Sequence, residues 1–331
     1  MKIQIVTPDA ATGTKGNSVT AKRWARVCNR LGHRTQIRRA SELRLDWNAD
    51  LLVALHAVKT FEAVRAFRER FAERSIVVLL TGTDIYSGGA SWKRKADQTI
   101  EIADRLVTLQ DATKSALPAK LRRKTTVVYQ AVDHVPKKSI TGLKRVFEVC
   151  VVGHLRKEKD PFRVALAAGM LPHESRIQVN HYGEALSETF QRKAQSLSES
   201  EPRYKWFGHV PRWKALQRIA RCRLLVQPSR SEGGASTISE AIAFGTPIIA
   251  SRIPGNVGIL GKNYPGLFEC GKTRQLSDML WRFETNERFR SKLTNAVGSL
   301  KERVSPKTEE RAIRKLLAGL SDREPIDEST S

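Results

Sequence analysis

The chain has 331 residues and a net charge of +24, from 58 Lys and Arg against 34 Asp and Glu. That length accommodates two domains of ordinary size, and no apolar run reaches the roughly 20 residues of a membrane span, so no integral membrane contact is expected. Cys28, Cys150, Cys222 and Cys270 lie far apart, without metal-like or redox spacing, which argues against a zinc module or a disulfide framework.

Residues 3–6 are too short an apolar run for a secretory signal, and the cysteine usage fits a cytoplasmic location. The basic excess is heavier in the first half. Such a surface suits nucleic acid, an anionic membrane or small anionic substrates. Neither aromatic interleaving nor a nucleic-acid-binding module accompanies it, so no nucleic-acid partner is expected.

Residues 2–6 read as a strand. A loop containing Gly13, Lys15, Gly16 and Asn17 leads to a helix capped near Asn17 or Ser18 and ended by Gly32. Residues 34–38, 50–55, 75–80, 105–109 and 125–129 read as further strands, most of them separated by helix-like stretches. Their apolar runs lack alternation, as expected of strands covered on both faces. This is the pattern of a doubly wound α/β domain, whose ligands sit outside the carboxyl ends of the strands. The dinucleotide fingerprint is incomplete, because Ala11 stands where its first glycine belongs. Polar groups mark three strand ends: His56, the Thr81-Gly82-Thr83-Asp84 turn and Gln110.

Residues 136–142 read as a linker, and the pattern restarts with a strand at 147–152. The loop Gly153-His154-Leu155-Arg156-Lys157-Glu158-Lys159 is expected to enter a helix capped by Asp160, with Pro161 first. Its three cations can neutralise a diphosphate without a metal. A strand at 178–182, a helix at 184–197, a strand at 204–207 and a helix at 213–221 follow. The apolar run 223–227 then ends in Ser229-Arg230-Ser231-Glu232-Gly233-Gly234-Ala235-Ser236-Thr237-Ile238-Ser239-Glu240. Strand, glycine turn and helix start together present backbone N–H groups and a helix dipole to an anion. Glu232 falls on the loop and Glu240 within the helix, and either carboxylate can bridge vicinal hydroxyls. Helices are expected near 272–283, 286–303 and 306–319, the last long and basic enough to return to the first domain. The domains are placed at 1–141 and 142–304, with the returning helix at 305–320 and a disordered tail at 321–331.

The spacing of Glu232 and Glu240, Gly233-Gly234, and the closing run Ala241-Ile-Ala-Phe-Gly245-Thr-Pro247 resemble the donor-site signature of GT-B glycosyltransferases of the GT4 type. The resemblance implies two Rossmann-like domains facing across a cleft. It assigns Glu232 to the donor sugar, Glu240 to the ribose of a nucleotide sugar, and Gly233, Gly234, Ala235 and Ser236 to the donor. Lys159 matches the family lysine that grips the diphosphate. His154 stands where an arginine is usual, with Arg156 its natural substitute, and Val210 falls on the loop that borders the nucleobase.

A narrower resemblance rests on Gly16-Asn17-Ser-Val-Thr-Ala-Lys-Arg-Trp24, on residues 50–57, on Leu80-Thr-Gly-Thr-Asp84-Ile-Tyr86, on Gly153-His-Leu-Arg156, on Ser231-Glu-Gly-Gly-Ala235 and on Ser251-Arg-Ile-Pro-Gly255. These are similar to the selenosugar synthases of selenoneine biosynthesis. A UDP-sugar donor, UDP-N-acetylglucosamine foremost, and a selenophosphate acceptor are then implied, with Glu232, Lys159 and His56 at the chemistry and no cofactor. Lys15, Gly16, Asn17, Thr81, Gly82, Thr83 and Asp84 are the expected acceptor residues, helped by Lys22, Arg23 and Arg26. A selenium anion is already a nucleophile, so no base is needed. No Asp-x-Asp pair exists, and no metal is expected. The competing reading is a conventional glycosyltransferase with a sugar or anionic lipid acceptor. The sequence sets no oligomeric state.

Overall fold

The computed structural model describes residues 1–8, 16–43, 47–82, 84, 89–133 and 146–321. The expectations for Gly13, Lys15, Thr83, the linker at 136–142 and the tail from 322 lie outside the described residues.

The chain divides into two compact units. The first comprises Met1–Leu109, Lys114–Val128 and Pro306–Ser331, and the second Gln110–Thr113 and Tyr129–Ser305. The second unit therefore begins before position 142, where the sequence placed it.

In the first unit, β1 (Lys2–Thr7), β2 (Arg34–Arg39), β3 (Leu51–Leu55), β4 (Ser75–Leu80), β5 (Arg105–Thr108) and β6 (Thr125–Val127) form one sheet. The order is β2-β1-β3-β4-β5-β6 and every pairing is parallel. Every residue of β3 is buried, which is why its five apolar side chains run without a polar break. The helix Gly16–Arg30 follows β1 and ends before Gly32, whose φ of +85° suits a residue without Cβ. The helix Pro306–Ser321 belongs to this unit: Ile313, Leu316, Leu317 and Leu320 share a core with Ile3, Trp24, Leu51 and Val77. Arg23 Nε reaches both oxygens of Glu309, at 2.9 and 2.8 Å, within that core. Arg23 is 6% exposed, so it braces the fold and does not join the acceptor cations named above.

In the second unit, β7 (Phe147–Val152), β8 (Ile177–Tyr182), β9 (Tyr204–Trp206), β10 (Leu224–Gln227), β11 (Ile248–Ser251) and β12 (Leu267–Phe268) form a second parallel sheet. Its order is β12-β11-β10-β7-β8-β9. The chain steps outward from β7 to β9, then resumes on the other side of β7 at β10, so β7 and β10 flank the switch point where ligands of such sheets bind.

Three helix boundaries differ most from the sequence reading. Asp160 does not cap a helix: it has a left-handed φ of 43°, closes a short turn at Lys157–Lys159, and the helix starts at Arg163. The helix expected from 184 begins at Glu188, because residue 185 bridges to Leu155 and Ser187 supplies the cap. The stretch 286–303 is a helix only over Glu287–Gly298, followed by a separate turn at Lys301–Val304.

Candidate active site

Two loops leave the switch point of the second sheet, Gly153–Lys159 after β7 and Ser229–Glu232 after β10. They are tied together at three levels. Arg230 and Ser231 donate backbone N–H groups to the Glu158 carbonyl at 2.8 and 3.3 Å, Arg230 Nε lies 3.5 Å from the Asp160 carboxylate, and Lys159 Nζ lies 2.6 Å from Glu232 Oε1. Glu232 Oε1 also accepts from Gln227 Nε2 at 2.9 Å and Ser229 Oγ at 2.6 Å. Gln227 is held in turn by Thr237 Oγ1 at 2.9 Å. One carboxylate oxygen is thus saturated. Oε2 accepts no hydrogen bond among the described residues, so the carboxylate is oriented by the protein and open on one side to a hydroxyl.

Close backbone approach fixes this arrangement. A Cβ on Gly255 would fall 2.1 Å from the Glu232 carbonyl oxygen, and one on Gly183 would fall 1.9 Å from that of Gly153. Gly183 is pinned by Trp206 Nε1, which donates to its carbonyl at 2.8 Å. His181 completes the support: its Nε2 lies 3.2 Å from the Gly153 carbonyl and its Nδ1 2.9 Å from the Tyr204 hydroxyl. Burial lowers its pKa to about 4, so the imidazole is neutral, donating from Nε2 and accepting at Nδ1.

His154 is also neutral. Burial lowers its pKa, opposed by Glu184 and reinforced by Arg156, Lys159 and His209, and its Nδ1 accepts the Glu184 N–H at 3.2 Å. It therefore replaces the usual arginine in place but not in charge. Arg156 lies two residues on, its Nε 3.9 Å from the Glu158 carboxylate and without a hydrogen-bond partner among the described residues. Ser231 Oγ on the facing loop is buried and likewise without one among those residues.

Gly233 and Ala235 are buried and Gly234 half-buried ahead of the helix Ser236–Phe244, which Ala235 caps without a side-chain bond. The first turn's N–H groups are therefore not taken up by a capping side chain. Glu240, one turn further in, is 3% exposed and 2.7 Å from Arg212 Nη2. Val210 packs against the core of this unit.

On the first unit, His56 ends β3 with a φ of +85° and 1% exposure. A residue other than glycine in that conformation costs on the order of 1–3 kcal/mol, and strain of this kind concentrates at functional sites. The Lys59 N–H donates to His56 Nδ1 at 3.3 Å, which leaves the ring proton on Nε2. Asp84, 3% exposed, accepts backbone N–H groups from Ala57 and Thr81 at 3.0 Å each and from Gly82 at 2.6 Å. His56, Thr81, Gly82 and Asp84 are thereby gathered at the carboxyl edge of this sheet. Gly16 and Asn17 open the helix after β1. Gln110 falls in the second unit, where its Oε1 accepts the Thr113 N–H at 3.0 Å.

Residues 137–299 match the family model described as glycosyl transferases group 1. That stretch, just under half of the chain, is what is similar to group 1 glycosyltransferases. The chain's fold is GT-B, shared with Anabaena HepE, solved with UDP and glucose, at a TM-score of 0.76 and 17% identity over 96% of this chain and 100% of that one. A sucrose-phosphate synthase from Thermosynechococcus elongatus superposes at a TM-score of 0.78 with 13% identity, covering 97% and 99% of the two chains. A glycosyltransferase from Rickettsia africae gives 0.75 and 14%, covering 98% and 99%.

Sequence reasoning named Ser229 and Ser231 only as members of the motif, without a role, and gave none to Gln227, Arg212 or His181. Gln227 and Ser229 were legible as polar residues between strand and glycines. Nothing in the sequence joins His181 to Gly153 or Arg212 to Glu240.

Proposed function

We propose that this protein is a glycosyltransferase that moves a sugar, N-acetylglucosamine first among the candidates, from a UDP-sugar to selenophosphate. The C1–O bond to the diphosphate breaks, a C1–Se bond forms, and the electron pair leaves with UDP. UDP is supported as the nucleotide by similar structures solved with it: Anabaena HepE with UDP-glucose and the pneumococcal O-GlcNAc transferase GtfA with UDP and GlcNAc. Lys159, with Arg156 beside it, would neutralise the leaving diphosphate. Glu232 would take a donor-sugar hydroxyl on Oε2, and Glu240 the ribose.

One observation favours an acceptor that arrives ionised. Among the described residues, His56 and Asp84 are the groups at the first unit's sheet edge able to remove a proton, and both are engaged with backbone N–H groups: His56 at Nδ1, Asp84 at both oxygens. An alcohol acceptor would call on such a base, whereas a selenium anion needs none. Members of the selenosugar synthase family, resembled in the stretches quoted above, use that acceptor.

The test incubates pure protein with UDP-sugars, with and without selenophosphate, and identifies products by mass. A selenium-containing sugar is expected, together with UDP release that depends on selenophosphate and persists in chelator. Turnover onto a sugar or lipid alcohol, indifferent to selenophosphate, would establish the conventional reading instead. Loss of activity in chelator, restored by Mg²⁺ or Mn²⁺, would sink the metal-free account of the diphosphate.

A further inference from the structure

Glu240 and Arg212 form an ion pair of unequal exposure: the carboxylate side chain is 4% exposed and the guanidinium side chain 42%, with Arg212 Nη2 2.7 Å from Glu240 Oε1 but outside hydrogen-bond geometry. Arg212 opens the helix Arg212–Arg221 directly after Pro211, which caps it without a side-chain bond. The first turn of that helix holds Arg212 and Lys214 and no acid. Cations at a helix N-terminus oppose the dipole, so the local helix does not account for Arg212. Its partner does. A carboxylate taken out of water needs a compensating charge to stay ionised, and only the ionised form is an acceptor at both oxygens.

We infer that Arg212 sets the ribose selectivity of the nucleotide site by holding Glu240 ionised and oriented toward two vicinal hydroxyls. Arg212 is a positioning residue, acting through Glu240. The inference rests on the assignment of Glu240 to the ribose in the function proposed above. Val210 and Pro211 fix where the arginine starts, the first by packing on the core and the second through a φ of −56°. The long, half-exposed stem lets the guanidinium follow the carboxylate when a nucleotide arrives.

The experiment measures dissociation constants of UDP and 2′-deoxy-UDP by calorimetry for the full chain and for Arg212→Met, Arg212→Lys and Glu240→Gln, with thermal melting to confirm folding. The unaltered protein is expected to prefer UDP by about tenfold or more, the worth of one hydrogen bond to a charged group. In Arg212→Met and Glu240→Gln that preference should fall to about twofold or less, and Arg212→Lys should restore most of it. Should Arg212→Met not fold, Arg212→Gln, which keeps a donor and loses the charge, is read by the same ratio. Equal weakening of both nucleotides by the arginine variant would overturn the inference and make Arg212 a diphosphate contact or a scaffold residue. An unaltered protein that binds UDP without discriminating would overturn the Glu240 assignment and the inference with it. No UDP binding would overturn the proposed donor.

Discussion

Lys159 Nζ lies 2.6 Å from Glu232 Oε1, with the two side chains 19% and 9% exposed. The pair joins the two loops of the switch point, one carrying the cation proposed for the leaving phosphate and the other the acid proposed for the sugar. Lys159→Ala should lower kcat by about 10²–10³, the scale of losing a preorganised charge at a developing anion. Glu232→Gln should lower it as well. Because each residue orients the other, the double variant should lose less than the product of the single losses. Strictly multiplicative losses in UDP release would show that the two act independently.

His56→Ala and Asp84→Asn should raise the KM for selenophosphate without removing a limb of the pH–rate profile. General-base catalysis contributes about 10²–10⁴-fold, so a missing base would be plain in the acid limb. Asp84→Asn also weakens the turn, since an amide oxygen accepts less strongly than a carboxylate from the three N–H groups it holds. A variant that loses an acid limb while keeping its selenophosphate affinity would restore the base, and with it an alcohol acceptor.

Gly255→Ala should reduce kcat sharply although Gly255 touches no proposed substrate atom. The added methyl group would meet the Glu232 carbonyl oxygen at 2.1 Å and its Cβ at 2.8 Å, and backbone cannot yield as a flexible side chain can. The acid must shift, by enough to spoil a geometry that tolerates little displacement. Normal turnover in a folded Gly255→Ala protein, measured by UDP release, would contradict this.

His181 gives the second unit an acid sensitivity. Its pKa is lowered to about 4 by burial, which outweighs the bond to the Gly153 carbonyl. The unfolded chain therefore takes up this proton near pH 6.5 and the folded one only near pH 4. The stability it contributes is complete above pH 6.5 and declines as the pH falls, by about 2 kcal/mol between pH 7 and pH 5. Denaturant unfolding at those two pH values should show that decline in the unaltered protein and a shallower one in His181→Asn.

The two parallel sheets were legible because strands covered on both faces read as unbroken apolar runs, such as β3 and β10. Glu232 and Glu240 were legible because their spacing and glycines form one local pattern. The start of the helix at Arg163 was not: Asp160 and Pro161 look like a cap and a first turn, yet Asp160 adopts a left-handed conformation and its carboxylate accepts from Arg163 Nε at 2.9 Å. The supports of the site were hidden for a different reason. His181 with Gly153, and Arg212 with Glu240, meet only once separate strands and helices have packed, and no residue type announces such a partner in advance.

The last helix has a temporal consequence. Ile313, Leu316, Leu317 and Leu320 finish the core that Ile3 and Trp24 begin, and Glu309 neutralises a buried Arg23, yet the whole second unit is translated in between. The first unit therefore leaves the ribosome with an open apolar flank and an uncompensated guanidinium, while the second, continuous from Tyr129 to Ser305 but for one short segment, can close as it emerges. A nascent chain released before Pro306 would carry a finished second unit and a first unit with an exposed apolar flank.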